Sequence, residues 1–429
     1  MVKNFLFILI WLLSLIFISI YTYENPEKLE VVKHYFNKYK KQEIKSAKEE
    51  TLNVPGNSFI VELYKEIAFT GKTAFIVHDE NISNFDQNAL KIYFQDGSLF
   101  ENSEFKKLDL PNFFTTRKNG GIKTIFIYNG KEFALISSSK NECFYASIIL
   151  LSNGKELFKT KCLPDKNIDY NGLGSSYIHY NDKIFLSIGT PEQASAKIRE
   201  LAQDKNSMFG KILEINKNDL EKVIKNEENN LNVKIFTIGH RNPQGLTKIN
   251  NTFFSVEHGP RGGDELNKII RDKNYGWPIV SYGIKYIMFD NSERFFKISH
   301  EKNGFEDALF ALVPSVGISA LNKCPNILNN YYKKPCLMAL SLYGNGLRPG
   351  RSIIIFLLNE KMDKVHSTEK IFLRDDLKLR HFVTNSKNEL FEDENGDIYI
   401  SADKKGIYRI SFVDFVNGED SDKLKKTFN

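Results

Sequence analysis

The chain has 429 residues, of which 41% are hydrophobic and 13% aromatic; this is enough to bury the core of one large domain or two ordinary ones. Its 59 lysines and arginines are nearly balanced by 53 aspartates and glutamates. Nucleic-acid binding needs a concentrated basic face, which we do not find in this sequence, so we expect no nucleic-acid partner.

The first 23 residues predict a membrane segment. The run FLFILIWLLSLIFISIY at Phe5–Tyr21 is about long enough to span a bilayer and longer than the apolar part of most signal peptides. Tyr21 and Tyr23 stand where a signal-peptide cleavage site would need small residues. We therefore favour an N-terminal transmembrane anchor over 1–23, with a cleaved signal segment as the alternative.

Residues 24–52 predict a helical stalk or linker. Apolar residues recur there at helical spacing between many lysines and glutamates, namely Leu29, Val32, Phe36 and Tyr39. A helix packed along the following domain is the alternative.

Short runs of β-forming residues follow turn dipeptides throughout 53–415. Examples of these turns are Asp96-Gly97, Asn129-Gly130, Asn181-Asp182, Asn250-Asn251 and Asn395-Gly396. Short strands separated by such turns, with few helices, are typical of a large all-β domain. Helical patterns are confined to 194–204 and 218–230, and we expect a C-terminal tail at 416–429.

Four cysteines leave the redox state open. Cys143 and Cys162 flank two strand-like runs joined by Asn153-Gly154, but their pairing needs a bulge or a loop longer than two residues. Cys324 and Cys336 could close a second loop. Two disulfides would indicate an oxidising compartment, and four buried free thiols are the alternative. Without paired CxxC spacing, we do not expect a zinc site.

The most distinctive stretch runs from Ile235 to Tyr282. It contains GHRNPQG, EHGPRGGDELN and NYGWP in this order. Two predicted strands, Val233–Ile238 and Thr252–Val256, lead into loops that carry a cation, amides and a carboxylate. This combination suits an anionic planar ligand, although such residues in loops more often bridge the loops to one another.

These three pieces resemble the signature of the soluble quinoprotein glucose/sorbosone dehydrogenases, with weaker similarity from roughly 171 to 410. The resemblance implies a six-bladed β-propeller that uses pyrroloquinoline quinone (PQQ) with calcium. It also implies oxidation of an aldose, in which a His accepts the hydroxyl proton, an Asp orients that His, and hydride passes to the quinone.

The resemblance assigns expected roles to individual residues. The expected cofactor contacts are Arg241, Asn242, Gln244, Asp264, Ser315, Arg348, Lys378 and Arg380. The backbone carbonyls of Gly259 and Pro260 are expected to bind calcium, because this hard cation prefers oxygen ligands. His240 belongs to the signature and is expected to be a hydrogen-bonded structural residue.

At the catalytic positions the sequence departs from the family pattern. Asn171 falls where the base His belongs and Thr190 where its orienting Asp belongs, and neither an amide nor a hydroxyl is a base near neutral pH. The catalytic residues are therefore unknown, with His258 as a candidate. Tyr343 takes the place of a quinone-binding Lys, whose charge Arg348 or Arg351 could supply.

Two functions are compatible with these observations. The first is a PQQ-dependent sugar dehydrogenase with a rearranged base, and the second is a catalytically inactive propeller that binds a carbohydrate, a cofactor or a protein. In either case we expect a membrane-anchored protein whose propeller lies in the periplasm or another extracytoplasmic space. The lysines that follow the apolar segment would favour the opposite orientation.

Overall fold

Six antiparallel sheets make up the described part of the chain. The computed structural model describes residues 45–46, 51–55, 58–115, 120–163, 170–191, 196–285, 296–297, 299–343 and 351–415. Within these residues, five sheets have four strands and the sixth has six. The innermost strands of most neighbouring sheets contact each other, so the sheets surround one axis. This arrangement is the six-bladed β-propeller that the resemblance implied.

The sixth blade joins the two ends of the described chain. Its strands are β1 (Lys45–Ser46), β2 (Thr51–Pro55), β3 (Phe59–Ala68), β24 (Leu379–Phe382), β25 (Ile398–Ala402) and β26 (Gly406–Phe415). Strand β3 pairs with β26 in antiparallel register from Ala68 opposite Gly406 to Phe59 opposite Phe415. An early strand thus closes the ring against the last one.

The prediction of a helical linker over 24–52 needs a correction at its C-terminal end. Lys45–Ser46 and Thr51–Pro55 are strands that pair with β3, for example Lys45 with Ala68. Backbone pairing with an available sheet edge outweighs the helical pattern in this part. Residues 24–44, like the predicted anchor at 1–23 and the tail at 416–429, lie outside the described residues. Among the residues that are described, no helix is long and apolar enough to cross a membrane.

Each of the other five blades is formed by four strands that are consecutive in the chain. The blades are numbered in chain order. Blade 1 contains β4 (Thr73–His78), β5 (Leu90–Phe94), β6 (Ser98–Glu101) and β7 (Glu104–Lys107), and blade 2 contains β8 (Ile122–Tyr128), β9 (Lys131–Lys140), β10 (Cys143–Leu150) and β11 (Lys155–Lys159). Blade 3 contains β12 (Tyr177–Tyr180), β13 (Lys183–Ile188), β14 (Lys211–Asn216) and β15 (Val233–Ile238), and blade 4 contains β16 (Pro243–Ile249), β17 (Thr252–Glu257), β18 (Asp264–Ile269) and β19 (Phe310–Leu312). Blade 5 contains β20 (Ile318–Lys323), β21 (Cys336–Ser341), β22 (Ser352–Leu358) and β23 (Val365–Phe372).

Burial follows the position of a strand within its blade. Every residue of β21 and nearly every residue of β22 is buried, because neighbouring blades cover both faces of these middle strands. These strands consequently read as continuous apolar runs. The outermost strand β7 is largely exposed and carries charged residues.

The predicted turns are present. Asn129 and Gly130 have φ values of 48° and 67°, the consecutive left-handed conformations of a tight hairpin turn. Helices are short and few in the described residues. α1 (Ala196–Glu200) lies within the predicted pattern at 194–204, α2 (Lys217–Ile224) overlaps the predicted pattern at 218–230, and α3 (Asn326–Tyr332) was not predicted. Three single turns of 3₁₀ helix occur at Gln87–Ala89, Tyr170–Gly172 and Glu301–Asn303.

The structure resolves the cysteine alternatives in favour of two disulfides, Cys143 with Cys162 and Cys324 with Cys336. In the first pair, Leu150 lies opposite Lys155, so the hairpin loop has four residues, and the register shifts again near Ile148. The longer loop and the bulge together bring the two cysteine Cα atoms to 5.2 Å.

Candidate functional site

Two loops of the signature lie side by side because their strands pair. Strand β15 ends at Ile238 and the chain enters β16 at Pro243, which lies opposite Glu257 at the end of β17. The loop that follows Glu257 leads into β18 at Asp264. Arg241 and the carbonyls of 258 to 260 are therefore brought to the same end of blade 4.

A buried carboxylate ties the first loop to blade 4. Glu257 accepts a hydrogen bond from the Arg241 backbone N–H at 2.7 Å and from the Asn267 amide at 2.9 Å, and its Oε1 lies 3.1 Å from Nδ1 of His240. Burial alone would raise the pKa of Glu257, but the adjacent His240 ring and the N–H donors hold it below its usual value. Burial and the charge of Glu257 raise the pKa of the neighbouring Glu265 well above its usual value.

His240 has a structural environment. Its ring is fully buried, stacks on Tyr275 at a centroid distance of 4.6 Å, and places Nε2 2.8 Å from the hydroxyl of Thr237. Both ring nitrogens therefore lie within hydrogen-bond distance of protein groups. This is the hydrogen-bonded structural position expected from the sequence.

Arg241 points its guanidinium at the second loop. One amino group donates to the carbonyl oxygens of His258 at 2.7 Å and Gly259 at 2.6 Å. The guanidinium carbon lies 5.3 Å from the ring centroid of Trp277, and only 7% of the residue is exposed. The expected cofactor cation and one expected calcium ligand are thus in direct contact.

The amides of the signature join blade 4 to blade 3. The Asn242 side-chain oxygen accepts hydrogen bonds from the Gly174 backbone N–H at 3.0 Å and from the Gln244 amide at 2.7 Å. A Cβ atom at Gly174 would collide with both amide side chains, so this close approach requires glycine. The segment that contains Asn171 therefore docks directly on the signature loop.

Asp264 connects the loop of Gly259 and Pro260, the expected calcium ligands, with the loop that holds Ser315. One carboxylate oxygen accepts the N–H groups of Val316, Gly317 and Ile318, and the other accepts the N–H of Gly259. Asp264 therefore positions both loops, and the direct cofactor contact expected of it remains a prediction. The hydroxyl oxygen of Ser315 is buried with no hydrogen-bond partner among the described residues.

His258 and Trp277 lie beside the same loop. The Nε2 atom of His258 and the indole nitrogen of Trp277 are both buried, and neither has a hydrogen-bond partner in the described part of the chain. Burial lowers the pKa of His258, and the Arg241 charge acts in the same direction, so the imidazole is held neutral. Buried polar atoms without a protein partner are typical of places where a ligand or a water molecule supplies the hydrogen bond.

Two of the basic residues expected near the cofactor have partners of different kinds. Arg380 forms a two-pronged ion pair with Asp403, in which Nε donates to Oδ1 at 2.8 Å and a second N–H donates to Oδ2. Lys378 lies with its ammonium 5.4 Å from the ring centroid of Tyr343. Arg348 lies outside the described residues, whereas Arg351 is described and partly buried.

The two catalytic positions of the family have different environments. Thr190 is buried; its hydroxyl donates to the carbonyl of His240 at 2.9 Å and its N–H donates to the carbonyl of Arg241 at 2.7 Å. This residue therefore supports the backbone of the signature loop. The backbone of Asn171 lies in the 3₁₀ turn Tyr170–Gly172, and its side chain lies outside what the structure describes.

Four residues that the sequence did not single out lie close to Gln244 and Arg380. Lys72, Gln95, Lys123 and His381 line the same small cavity on the axis. Burial, with the charge of Arg380, lowers the pKa of His381 to about 3, and its Nδ1 lies 2.9 Å from the hydroxyl of Thr73. No sequence motif marks these residues, because each comes from a different strand or turn near the axis.

Comparison with known proteins agrees with the resemblance. Residues 149–407 match the family model described as Glucose / Sorbosone dehydrogenase. Aldose sugar dehydrogenase YliI of Escherichia coli (strain K12) is 37% identical over 112 residues, which are 25% of this chain and 28% of that protein. Quinoprotein glucose dehydrogenase B of Acinetobacter calcoaceticus is 34% identical over 123 residues, 28% of this chain and 24% of that protein. These matched segments span about a quarter of each relative's length.

Solved structures share the fold at lower identity. The apo-form of the soluble aldose sugar dehydrogenase from Escherichia coli aligns with a TM-score of 0.57 at 18% identity, over 86% of this chain and 99% of that one. The PQQ-bound form of the aldose sugar dehydrogenase from Streptomyces coelicolor aligns with a TM-score of 0.51 at 15% identity, over 87% and 99%. These alignments support the propeller architecture.

Proposed function

The chain belongs to the glucose/sorbosone dehydrogenase family, and from this premise we propose that it is a quinoprotein that binds PQQ and oxidises a hydroxyl of an aldose sugar. The observation that carries the proposal is the contact between Arg241 and the carbonyls of His258 and Gly259. The Arg241 cation thus lies beside backbone oxygens and in the same loop as the amides of Asn242 and Gln244. The cation and the amides suit the anionic groups of the quinone, and the carbonyl oxygens suit calcium.

The residues present fit PQQ. This cofactor supplies redox chemistry that no side chain has, and as a polycarboxylate it needs cations and hydrogen-bond donors. Arg241 and Arg380 would bind its acidic groups, and the amides of Asn242 and Gln244 would orient it. The buried hydroxyl of Ser315, which has no partner among the described residues, would donate a hydrogen bond to it.

Calcium fits in part. Two backbone carbonyls, those of Gly259 and Pro260, supply the type of oxygen ligand that calcium prefers. Gly259 shares its carbonyl oxygen with Arg241, and both oxygens of Asp264 accept backbone N–H groups. Among the described residues there is no group of three or more His, Cys, Asp or Glu side chains that could hold a metal. Calcium would therefore depend on further oxygens from the cofactor and water.

The proton acceptor is the open part of the proposal. Thr190 supports the loop backbone and is not a base, whereas His258 is neutral and lies beside Arg241. We propose His258 as the group that takes the hydroxyl proton of the sugar. The substitutions at Asn171 and Thr190 favour the second candidate, an inactive propeller that binds cofactor or carbohydrate without turnover.

A titration of PQQ into the purified full-length protein, with calcium and with a chelator, tests the proposal. We expect saturable PQQ binding and, on addition of aldoses, reduction of the quinone spectrum. Binding without reduction by any aldose would support the inactive propeller. Absence of PQQ binding under both conditions would exclude the quinoprotein assignment.

We also propose that the propeller lies outside the cytoplasm on an N-terminal membrane anchor. The two disulfides support this location, because disulfides persist in oxidising compartments. Cell fractionation, with protease added to intact or outer-membrane-permeabilised cells, tests both parts. Recovery of an uncleaved chain in the membrane fraction with a protease-accessible propeller is expected, and a protected propeller would contradict the orientation.

A further inference from the structure

A fully buried lysine holds a loop of blade 3 together. Lys211, the first residue of β14, has no exposed surface. Its ammonium donates to the carbonyl oxygens of Leu201 at 2.8 Å, Ala202 at 2.8 Å and Phe209 at 2.7 Å. An ammonium has three N–H donors, and each has an acceptor here. Both ends of the segment 201–209 are therefore fixed on one side chain.

The segment 201–209 also contacts the start of the signature loop. The Ala202 carbonyl, which Lys211 holds, accepts a second hydrogen bond from the N–H of Gly239 at 3.0 Å. Gly210 has a φ of 68°, and a Cβ atom there would lie 2.5 Å from the Cβ of Ala202. This close approach therefore requires glycine. The first residue after β15 is thus held by a carbonyl that the buried lysine fixes.

The side chain of Gln203 links the same segment to the NYGWP turn. Its amide nitrogen donates to the Trp277 carbonyl at 2.6 Å and to the Asn274 side-chain oxygen at 3.1 Å. Its own oxygen accepts from the Asn274 amide at 2.7 Å. The Trp277 N–H in turn donates to the carbonyl of Gly239 at 3.0 Å. The segment is therefore bonded both to the turn that carries Trp277 and to the loop that carries Arg241.

Trp277 connects this segment with the guanidinium of the candidate site. Its ring belongs to one apolar cluster with Ala202 and Phe296. The guanidinium carbon of Arg241 lies 5.3 Å from the ring centroid of Trp277. A displacement of the segment would therefore move one of the groups that Arg241 packs against.

We propose that Lys211 and Gln203 are positioning residues for the candidate site. Lys211 fixes the segment 201–209, and Gln203 transmits its position to Trp277 and thereby to the Arg241 guanidinium. A side chain that is held in place before an anionic ligand arrives loses less freedom on binding, which strengthens the affinity. The inference rests on the proposed function where PQQ affinity is concerned, whereas the position of Trp277 is measurable without a ligand.

Tryptophan fluorescence tests this positioning directly. The chain has two tryptophans, Trp11 and Trp277, so the substitution Trp11→Phe leaves Trp277 as the single reporter. Acrylamide quenching of the purified full-length protein then measures how accessible the Trp277 ring is. The measurement is made at pH 6, because burial lowers the pKa of Lys211 to about 7 and its ammonium is largely protonated at that pH.

Two variants in this background address the two contacts separately. Lys211→Met removes the three donors and keeps an unbranched side chain, whereas Gln203→Leu removes the amide and leaves the ammonium in place. Lys217→Met is the matched control, since this ammonium also donates to a backbone carbonyl but lies just beyond the other end of β14. We expect the quenching constant of Trp277 to rise about twofold or more in both variants and to stay unchanged in the control.

Titration of PQQ extends the test to the candidate site. We expect the affinity to fall about tenfold in Lys211→Met and in Gln203→Leu, and to stay unchanged in Lys217→Met. A wild type that does not bind PQQ would remove the proposed function, while the quenching of Trp277 would still decide the inference.

Melting temperatures verify that the variants are folded, and Gln203→Leu decides alone if Lys211→Met does not fold. Wild-type quenching in Gln203→Leu, or in a folded Lys211→Met, overturns the inference. So does increased quenching with wild-type PQQ affinity, since the segment would then not position the site.

Discussion

Asp264 accepts the backbone N–H of Gly317 at 2.7 Å, although the two residues are 53 positions apart. The same oxygen accepts the N–H groups of Val316 and Ile318, and the other oxygen accepts that of Gly259. One carboxylate thus connects a loop of blade 4 with the loop that enters blade 5. The relative position of the two walls of the candidate site depends on it.

Replacing Asp264 by Ala should lower the free energy of unfolding by roughly 3 to 5 kcal/mol, because four buried N–H groups lose a charged acceptor. Chemical denaturation would measure the loss. Asp182→Ala, at an exposed turn, is the control and should change stability by less than about 0.5 kcal/mol. Similar losses in the two variants would show that Asp264 does not hold the loops.

Glu257→Gln should destabilise the protein by roughly 2 to 4 kcal/mol and weaken PQQ binding. A glutamine offers only one acceptor oxygen, whereas Glu257 accepts from Arg241 and Asn267 and also contacts His240. The displaced Arg241 backbone should move its guanidinium. Thermal melting and PQQ titration measure the two effects. An unchanged PQQ affinity would show that the buried network around Glu257 does not influence the cofactor site.

Substitutions of Arg241 should separate charge from shape. Arg241→Lys keeps the charge and should reduce PQQ affinity about tenfold, whereas Arg241→Ala should reduce it at least a hundredfold. The alanine variant should also lose about 1 to 3 kcal/mol of stability, since the His258 and Gly259 carbonyls lose their donor. Wild-type PQQ affinity in both variants would place the cofactor elsewhere.

The pH dependence of stability should reveal His381. Its pKa is lowered to about 3 in the folded protein, by burial first and then by Arg380. Because the unfolded chain binds the proton more strongly, acid favours unfolding. The free energy of unfolding should therefore decrease as the pH falls below about 6.5. The decrease should amount to about 2 kcal/mol between pH 7.5 and pH 5.

Urea denaturation of the wild type and of His381→Asn at both pH values isolates this contribution. Asparagine places a polar atom near the Nδ1 position, which lies 2.9 Å from Thr73 in the wild type. The wild type should lose about 2 kcal/mol more than the variant on acidification. Parallel losses would mean that His381 titrates normally in the folded state.

The double replacement Cys143→Ser with Cys162→Ser should cost about 3 kcal/mol, because the disulfide closes a loop with a sequence separation of 19 and restricts the unfolded chain. Calorimetric melting of the variant and of the wild type measures this cost. This double variant retains the second disulfide, between Cys324 and Cys336, and should still fold. No change in melting temperature would contradict the chain-entropy argument for this loop.

Local physics explains how much the sequence alone could predict. Asn129-Gly130 specified its hairpin, since few residues adopt consecutive left-handed conformations without strain. The runs of β21 and β22 are apolar almost without interruption, as is typical of strands whose two faces are both covered. The ordered pieces around Arg241 indicate the family without reference to any tertiary contact.

Other features depended on closure of the ring. Strand β3 pairs with β26 across more than 300 residues, and it also pairs with β2, which begins at Thr51 inside the predicted helical linker. The same closure brings Lys72, Lys123 and Arg380 to one cavity. Their convergence could not be predicted, because periodicity sets which face a side chain takes on its strand, whereas only the packing of six blades around an axis decides which side chains meet.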